Sequence, residues 1–153
     1  MIMKREIKFR GQVLNSVKDK KDNVVTEWKS WVYGDLLHRP NGVLHILTLN
    51  EEKWCYENNI IDPKTVGQFT GLSDKGGKEI YEDDIVRWRR DGKLYLVKFY
   101  AGMFYASVEG LNKGVYGGFP LHVLTVSEED EYKCEVCGNI YDSPESVKGD
   151  SYE

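Results

Sequence analysis

The acidic run Tyr81-Glu82-Asp83-Asp84 has the residue types and spacing for two kinds of chemistry. Neighbouring carboxylates can hold Mg²⁺ or Ca²⁺, and they can raise one another's pKa for acid–base catalysis. The alternate-acid spacing of calcium loops is absent, and an acidic run before a strand is more often a solvated turn. We therefore expect a structural role, with Asp84 capping the local backbone and no bound metal.

The segment Cys134-Glu135-Val136-Cys137 is a second place where ligands could gather. A structural zinc site needs four ligands and normally contains two such pairs, but only one pair is present in this sequence. Residues three apart on a strand point to opposite faces, and a redox pair would require a helix N-terminus in a βαβ unit. We predict a structural role and no cofactor. The remaining metal-ligating residue types are scattered: Cys55, His38, His45 and His122.

Basic and aromatic side chains alternate in two further segments, Arg87-Trp88-Arg89-Arg90 and Lys98-Phe99-Tyr100. On a small barrel, such residues can form a stacking surface for single-stranded nucleic acid. The alternative is a half-buried strand with aromatic residues inward and charged residues outward. The net charge of −4, from 25 acidic and 21 basic side chains, favours the alternative. The candidate nucleic-acid-binding residues are Arg87, Arg89, Arg90 and Lys98.

The glycines at 71, 76 and 77 lie near Lys75 and Lys78 but do not form a phosphate-binding loop. Such a loop ends in Lys-Ser or Lys-Thr and opens a helix, whereas Lys78 precedes Glu79 and a strand pattern. A hairpin turn is the better interpretation. Cys55 and a distant histidine could form a nucleophile–base pair, but nothing local supports it. We predict that the protein is not an enzyme.

Many short strands and little helical periodicity indicate an antiparallel barrel or sandwich. In the first strand, 6–14, Ile7, Phe9 and Val13 should face inward, and Lys8 and Arg10 should face water. Residues 85–99 resemble an SH3-like hairpin, and Asp142 could start a short C-terminal helix. Further strands are predicted over 24–37, 43–49, 56–61, 93–100, 103–108, 119–126 and 132–140.

The 153 residues fit a single domain, which could have two lobes divided near 50–63 and a frayed tail at 148–153. The three cysteines form an odd number, and the first residues lead into a charged strand without an apolar signal segment. No apolar run approaches the length that spans a bilayer. These features predict a cytoplasmic protein with free thiols.

The stretch Thr65–Trp88, TVGQFTGLSDKGGKEIYEDDIVRW, resembles the signature of the YopX family, small proteins encoded by bacteriophages and prophages. Segments 5–11, 31–36 and 138–145 resemble its opening, second and closing blocks. The resemblance implies an all-β fold and a phage origin but no reaction. Asp83 replaces the glycine of the usual YEGDIV, so either residue 83 does not need a positive φ or Asp adopts it. Val136-Cys137 replaces an apolar pair, which predicts that Cys137 is a small buried residue.

We expect a non-enzymatic accessory or regulatory protein that binds another protein in a bacterial host cell. The turns at 73–77 and 110–118 are the predicted contact surfaces, and exposed strand edges could form a homo-oligomer. Nucleic-acid binding through the basic residues is the alternative. A metal-dependent enzyme using Glu82, Asp83 and Asp84 is the third possibility.

Overall fold

The computed structural model describes residues 4–108, 111, 117–126, 128, 131 and 133–142. The chain divides into two compact units, Met1–Gln68 and Phe69–Glu153. Both consist mostly of antiparallel strands, so the all-β prediction is confirmed. Neither sheet closes into a barrel within the described ranges.

The first unit is a meander of four strands in the order β4-β3-β2-β1. A 3₁₀ turn, Pro63–Thr65, follows them, and Asp62 caps it by accepting the backbone N–H of Lys64. The next strand, β5 (Gly67–Ser73), pairs through its first two residues with Arg10 and Phe9. The four strands are β1 (Phe9–Lys18), β2 (Val24–His38), β3 (Leu44–Asn50) and β4 (Cys55–Ile60).

Two local features position the strands of this unit. Gly42 has a φ of +80° in the tight turn between β2 and β3, as the Asn-Gly pair predicts. Gly34 lies so close to β3 that a Cβ atom there would be 2.0 Å from the carbonyl oxygen of Leu47. This close approach lies where the pairing of β2 with β3 begins, at Asp35 opposite Leu47, and beside Ile46, which is fully buried.

The predicted inward face of β1 is wrong at Arg10. Arg10 is buried and Ile7 is exposed. Arg10 lies opposite Tyr33 of β2, so Tyr33 and Trp31, two residues earlier on β2, share its face of the sheet. The guanidinium lies 4.6 Å from the centre of the Trp31 ring, a cation–π contact that makes its burial tolerable.

The second unit contains the rest of β5, paired with β6 (Glu79–Tyr81), and a five-stranded sheet in the order β10-β9-β8-β7-β11. The β7–β8 hairpin follows the sequence prediction, with Ile85 opposite Leu96 and Arg87 opposite Leu94. The strands of the five-stranded sheet are β7 (Asp84–Arg87), β8 (Leu94–Tyr100), β9 (Met103–Ser107), β10 (Gly118–Pro120) and β11 (Glu135–Asn139).

Both faces of this sheet carry apolar clusters. The smaller cluster is Ile85, Leu96 and Leu111. The larger cluster takes its members from most elements of the unit, so it is the core around which the sheet folds. Its buried members are Ile80, Val86, Trp88, Tyr95, Val97, Ala106, Val108, Leu121, Leu124 and Cys134.

The strand predicted over 119–126 is wrong from residue 121 onward. Strand β10 ends at Pro120, which has no N–H for a ladder, and a helical turn, α1 (His122–Thr125), follows. Leu121 and Leu124 are both fully buried, and their spacing of three residues suits a helical turn. The predicted C-terminal helix and the tail at 148–153 lie outside the described residues.

Candidate functional site

The acidic run lies at the turn between β6 and β7, and both aspartates are buried. Oδ2 of Asp84 accepts the backbone N–H of Tyr81 at 2.8 Å, so the predicted capping role is confirmed. Asp83 accepts two side-chain hydrogen bonds. Oδ1 accepts from Nζ of Lys98 at 3.1 Å, and Oδ2 accepts from the hydroxyl of Tyr141 at 2.6 Å.

The prediction of a solvated acidic turn is therefore wrong for Asp83 and Asp84. The backbone of Asp83 is also bonded, its N–H to the carbonyl of Val97 and its carbonyl to the N–H of Ile140. Asp83 has a φ of +68°, so an aspartate adopts the conformation that a glycine usually takes. Both oxygens of its carboxylate already have protein donors, which favours a structural role over cation binding.

The described residues contain no group of three or more His, Cys, Asp or Glu that could hold a metal ion. Among the histidines, Nδ1 of His45 is hydrogen-bonded to Oδ1 of Asn58 on the neighbouring strand. The expectation that this protein binds no metal or cofactor stays a prediction.

The basic candidates are spread along the β7–β8 hairpin. Arg87 lies opposite Leu94, and Lys98 is four residues further along β8, or about 13 Å at strand spacing. Lys98 is paired with Asp83, and Nη2 of Arg89 lies 3.4 Å from Oε2 of Glu135. Nearby carboxylates therefore offset part of the charge that would attract phosphates.

The aromatic residue between these arginines is not available for stacking on a base. Trp88 is buried in the core, where its ring contacts those of Tyr95 and Phe119. The guanidinium of Arg90 lies 5.9 Å from the centre of the Trp88 ring. At Trp88 this arrangement fits the alternative interpretation, in which aromatic residues face inward and charged residues face outward. In the second segment it does not, because Phe99 and Tyr100 are 55% and 69% exposed.

The two late cysteines have opposite environments. Cys134 is fully buried in the core, whereas Cys137 is exposed, so the prediction that Cys137 is buried is wrong. Strand β11 has an irregular register between Val136 and Gly138, which accompanies the outward position of Cys137. Burial raises the pKa of the Cys134 thiol to about 12, and the negative charge of Asp74 acts in the same direction.

The turn at 73–77 is a hairpin turn held by one carboxylate. Oδ1 of Asp74 accepts the backbone N–H groups of Gly76 and Lys78, and its Oδ2 accepts that of Val136 at 3.0 Å. A strand follows the turn, so the hairpin interpretation is confirmed. Its use as a contact surface stays a prediction. In the other predicted surface, 110–118, residues 110 and 112–116 lie outside the described residues.

A shallow groove of about 420 Å³ lies on β8 and β9, between the side chains of Lys98, Tyr100, Tyr105 and Ser107. The rings of Tyr100 and Tyr105 have centroids 6.4 Å apart. The ammonium group of Lys98 is already paired with Asp83, so the groove offers little uncompensated charge to a ligand.

A cluster of large apolar side chains is exposed where β3 turns into β4. Leu49 and Tyr56 lie directly opposite each other, 53% and 60% exposed, and Trp54 in the turn is 87% exposed. The turn is held by Asn50, whose Oδ1 accepts the N–H of Lys53. Trp54 has a φ of +48°, a conformation that costs free energy for such a residue. We call Leu49, Trp54 and Tyr56 the β3–β4 patch.

The sequence pattern does not reveal this patch. The period-two pattern of β3 and β4 predicts which residues share a face, but it does not reveal whether another element covers that face. The available signal was Trp54 within a turn bounded by Asn50 and the charged residues Glu51, Glu52 and Lys53, because a tryptophan in a polar turn has nothing local to pack against.

A groove of about 600 Å³ separates β4 from β1 within the first unit. At its closed end the N–H of Asp62 donates to the carbonyl of Gln12 at 2.9 Å. Along the groove, β4 has no strand partner on the edge away from β3 within the described part of the chain. We call this space the β1–β4 groove. Its lining includes Val13, Leu14, Asn58, Ile60 and Ile61.

Comparisons with known proteins agree with the resemblance seen in the sequence. The family model described as YopX protein matches residues 17–148. No curated protein matches the chain. The crystal structure of protein EF1440 from Enterococcus faecalis is similar at 19% identity and a TM-score of 0.44. The match covers 94% of this chain and 99% of that one, and at this TM-score it supports no inference about function.

In the described residues, none of the helices is long and apolar enough to cross a membrane.

Proposed function

The chain belongs to the YopX family, and from that premise we propose that it is a non-enzymatic protein-binding module whose binding surface is the β3–β4 patch. It acts in the cytoplasm of a bacterial host as an accessory protein of a phage or prophage. The family resemblance supports the phage origin, and the free thiols of Cys55, Cys134 and Cys137 suit a reducing compartment.

The observation that carries the proposal is the exposure of Trp54 beside Tyr56 and Leu49. Tryptophan and tyrosine are enriched at the energetic centres of protein interfaces because each removes a large apolar area from water at small conformational cost. Clustered apolar residues on a surface commonly mark a binding site. The turn holds the backbone of Trp54 at a positive φ, so the cost of ordering the backbone at this position is already met before binding.

Two other functions have less support. Nucleic-acid binding would use Arg87, Arg89, Arg90 and Lys98, yet Arg89 and Lys98 are paired with carboxylates. A metal-dependent enzyme would use Glu82, Asp83 and Asp84, yet the carboxylates of Asp83 and Asp84 are buried and accept protein hydrogen bonds. Both arrangements favour structural roles for these side chains.

A comparison of affinity-tagged variants tests the proposal. The wild-type protein, Trp54→Ala and Tyr100→Ala are expressed in phage-infected or induced bacterial cells, and the retained proteins are identified. Tyr100 is the matched control because it is an exposed aromatic residue on β8. We expect the wild type and Tyr100→Ala to retain the same specific protein and Trp54→Ala to lose it. Equal retention by all three variants would exclude the β3–β4 patch as the binding surface.

A further inference from the structure

We propose that the β1–β4 groove binds an extended segment of a partner protein, which pairs as an added strand with the free edges of β1 and β4. Strand edges without a partner are the usual acceptors of extended peptides. The inference goes beyond the proposed function, because it rests on backbone groups of β1 and β4 and on none of the side chains of the β3–β4 patch.

The hydrogen bonds between β3 and β4 determine which backbone groups of β4 face the groove. The N–H of Ile61 donates to the carbonyl of Leu44, so Ile61 and every second residue before it bond to β3. In an antiparallel pair, such residues alternate with residues whose N–H and C=O groups point away. The outward residues nearest the closed end are therefore Ile60 and Asn58. No hydrogen bond from the described residues reaches their backbone groups.

The facing edge of β1 is open in the same way. Both backbone groups of Gln12 point away from β2, since its N–H donates to Oγ1 of Thr65 and its carbonyl accepts the N–H of Asp62. The same alternation makes Leu14 and Ser16 the next outward residues, and the register with β2 is uninterrupted at both positions. Within the described part of the chain, their backbone groups also have no hydrogen-bond partner.

The free groups of the two edges lie at matching levels. Three successive antiparallel pairings separate β1 from β4, so these two strands run antiparallel to each other. Two residues beyond the contact between Asp62 and Gln12, Ile60 lies level with Leu14, yet the described parts of β1 and β4 form no ladder. The groove of about 600 Å³ lies between them. An extended polypeptide satisfies both rows at once, because its own N–H and C=O groups alternate between its two edges.

The side chains around the groove indicate which residues the added strand carries. Leu14 and Ile60 lie on the same face of the sheet and are largely exposed, so apolar side chains at alternate positions of the added strand would cover them. Lys29 lies opposite Leu14 and also lines the groove, and its ammonium has no ionic or hydrogen-bonding partner in the described ranges. Asp62 already accepts the N–H of Lys64. Charge complementarity therefore favours a segment that contains an acidic residue.

Amide hydrogen exchange of the isolated protein tests whether the edges are open. NMR should detect fast exchange at Asn58 and Ser16, whose N–H groups point outward, and slower exchange at Glu57 and Asn59, which bond to β3. Slow exchange at Asn58 in dilute protein would mean that the chain itself covers this edge. Slow exchange that disappears on dilution would assign the edge to a second copy. Either result would overturn the proposal.

Peptide selection tests the chemistry of the occupant. Random linear peptides displayed on phage are selected on the wild-type protein, and a fluorescent synthetic copy of the best binder is titrated by anisotropy. We expect binders that alternate apolar residues with polar ones and contain Asp or Glu. The absence of any binder would refute an extended polypeptide as the occupant.

Proline variants locate the binding at the strand edges. Asn58→Pro removes an outward N–H and leaves the bonds to β3 intact, and proline is accepted at such edge positions. It should raise the dissociation constant of the selected peptide about tenfold or more, whereas Asn58→Ala, which keeps the N–H, should stay within about twofold of the wild type. Ser16→Pro and Ser16→Ala repeat the comparison on β1, in case one proline variant does not fold. Equal affinities of the proline and alanine variants would exclude strand addition.

Charge reversal tests the position of the peptide in the groove. Lys29→Glu should weaken binding of the selected peptide more than Lys93→Glu, the same change at an exposed residue beside the β7–β8 turn. Equal effects of the two variants would place the peptide away from Lys29 and overturn the site.

The variant Trp54→Ala separates this inference from the proposed function. It should bind the selected peptide like the wild type, because the β1–β4 groove is unchanged. Loss of peptide binding in Trp54→Ala, with the proline variants unaffected, would move the peptide to the β3–β4 patch and refute the inference. If Trp54→Ala still retains its partner in the pull-down while the proline variants lose the peptide, the proposed function is wrong and the groove remains a binding site.

Discussion

Tyr141 donates its phenolic hydrogen to Oδ2 of Asp83, with 2.6 Å between the two oxygens. This bond joins the turn between β6 and β7 to the segment that follows β11, and the ammonium of Lys98 bonds the other oxygen of Asp83. Asp83 also has a positive φ, which permits the tight turn. A position that the family resemblance associates with glycine is therefore, in this chain, a connection between β7, β8 and the residues after β11.

Removal of the Asp83 side chain should destabilise the protein. We expect Asp83→Ala to lower the free energy of unfolding by about 3–4 kcal/mol. Alanine pays roughly 1–2 kcal/mol for a left-handed φ, and each lost hydrogen bond adds about 1 kcal/mol. Asp83→Asn should cost less because asparagine tolerates this conformation and keeps an acceptor oxygen. Urea denaturation of both variants measures the difference, and equal losses would contradict the role of the backbone conformation.

Tyr141 and Asp83 should be energetically coupled through the hydrogen bond between them. Tyr141→Phe alone should lower the free energy of unfolding by about 1 kcal/mol, but it should have little effect when Asp83 is already alanine. A double-mutant cycle from urea denaturation gives this coupling. Additive losses in the double variant would indicate that the two residues act independently.

Burial of the Cys134 thiol predicts a loss of stability in alkali. This thiol ionises near pH 9.0 in the unfolded chain, but burial raises its pKa to about 12 in the folded one, so the unfolded state releases its proton first. The contribution of this thiol to the free energy of unfolding is fully present below pH 9. Above pH 9 the free energy of unfolding should fall by up to about 1.4 kcal/mol per pH unit. Burial and a hydrogen bond to Asp91 raise the pKa of Tyr95 as well.

Urea midpoints at pH 8 and pH 10 measure this effect. The variant Cys134→Ala lacks the ionisable thiol and should lose less stability than the wild type over the same interval. An equal loss in the two proteins would assign the alkaline effect to other groups.

Local sequence chemistry predicts much of the fold because hairpins are decided by neighbouring residues. The Asn41-Gly42 turn and the β7–β8 hairpin follow from residue type and period-two alternation. Tertiary surroundings decide the features that were predicted wrongly. Arg10 is buried with its guanidinium over the ring of Trp31 on β2, and a pattern along one strand carries no information about the next strand.

The candidate site depends even more on long-range contacts. The sequence identifies Asp83 and Lys98 as notable residues, but their pairing requires the β7–β8 hairpin. The other oxygen of Asp83 is bonded by Tyr141, which is 58 positions away in the sequence. The exposure of Trp54 depends on what covers the end of β3 and β4, which no local pattern specifies.

Substitution by alanine should lower the free energy of unfolding by very different amounts at two glycines of the first unit. A Cβ at Gly34 would lie 2.0 Å from the carbonyl oxygen of Leu47, whereas nothing lies within 4 Å of one at Gly42. Gly34→Ala must displace backbone, so we expect a loss of at least about 3 kcal/mol. Gly42→Ala should cost only about 1–2 kcal/mol, for its positive φ. Urea denaturation followed by tryptophan fluorescence compares them, and similar losses would contradict the close approach of β2 to β3.

The partial neutralisation of the basic residues predicts weak binding of nucleic acid. Arg89 is paired with Glu135 and Lys98 with Asp83, so few cations remain to displace counterions from phosphates. Fluorescence anisotropy with a labelled single-stranded DNA or RNA at low salt should detect no binding at micromolar protein. The triple variant Arg87→Ala/Arg89→Ala/Arg90→Ala should behave like the wild type. Salt-dependent binding that the triple variant abolishes would instead establish these arginines as a nucleic-acid surface.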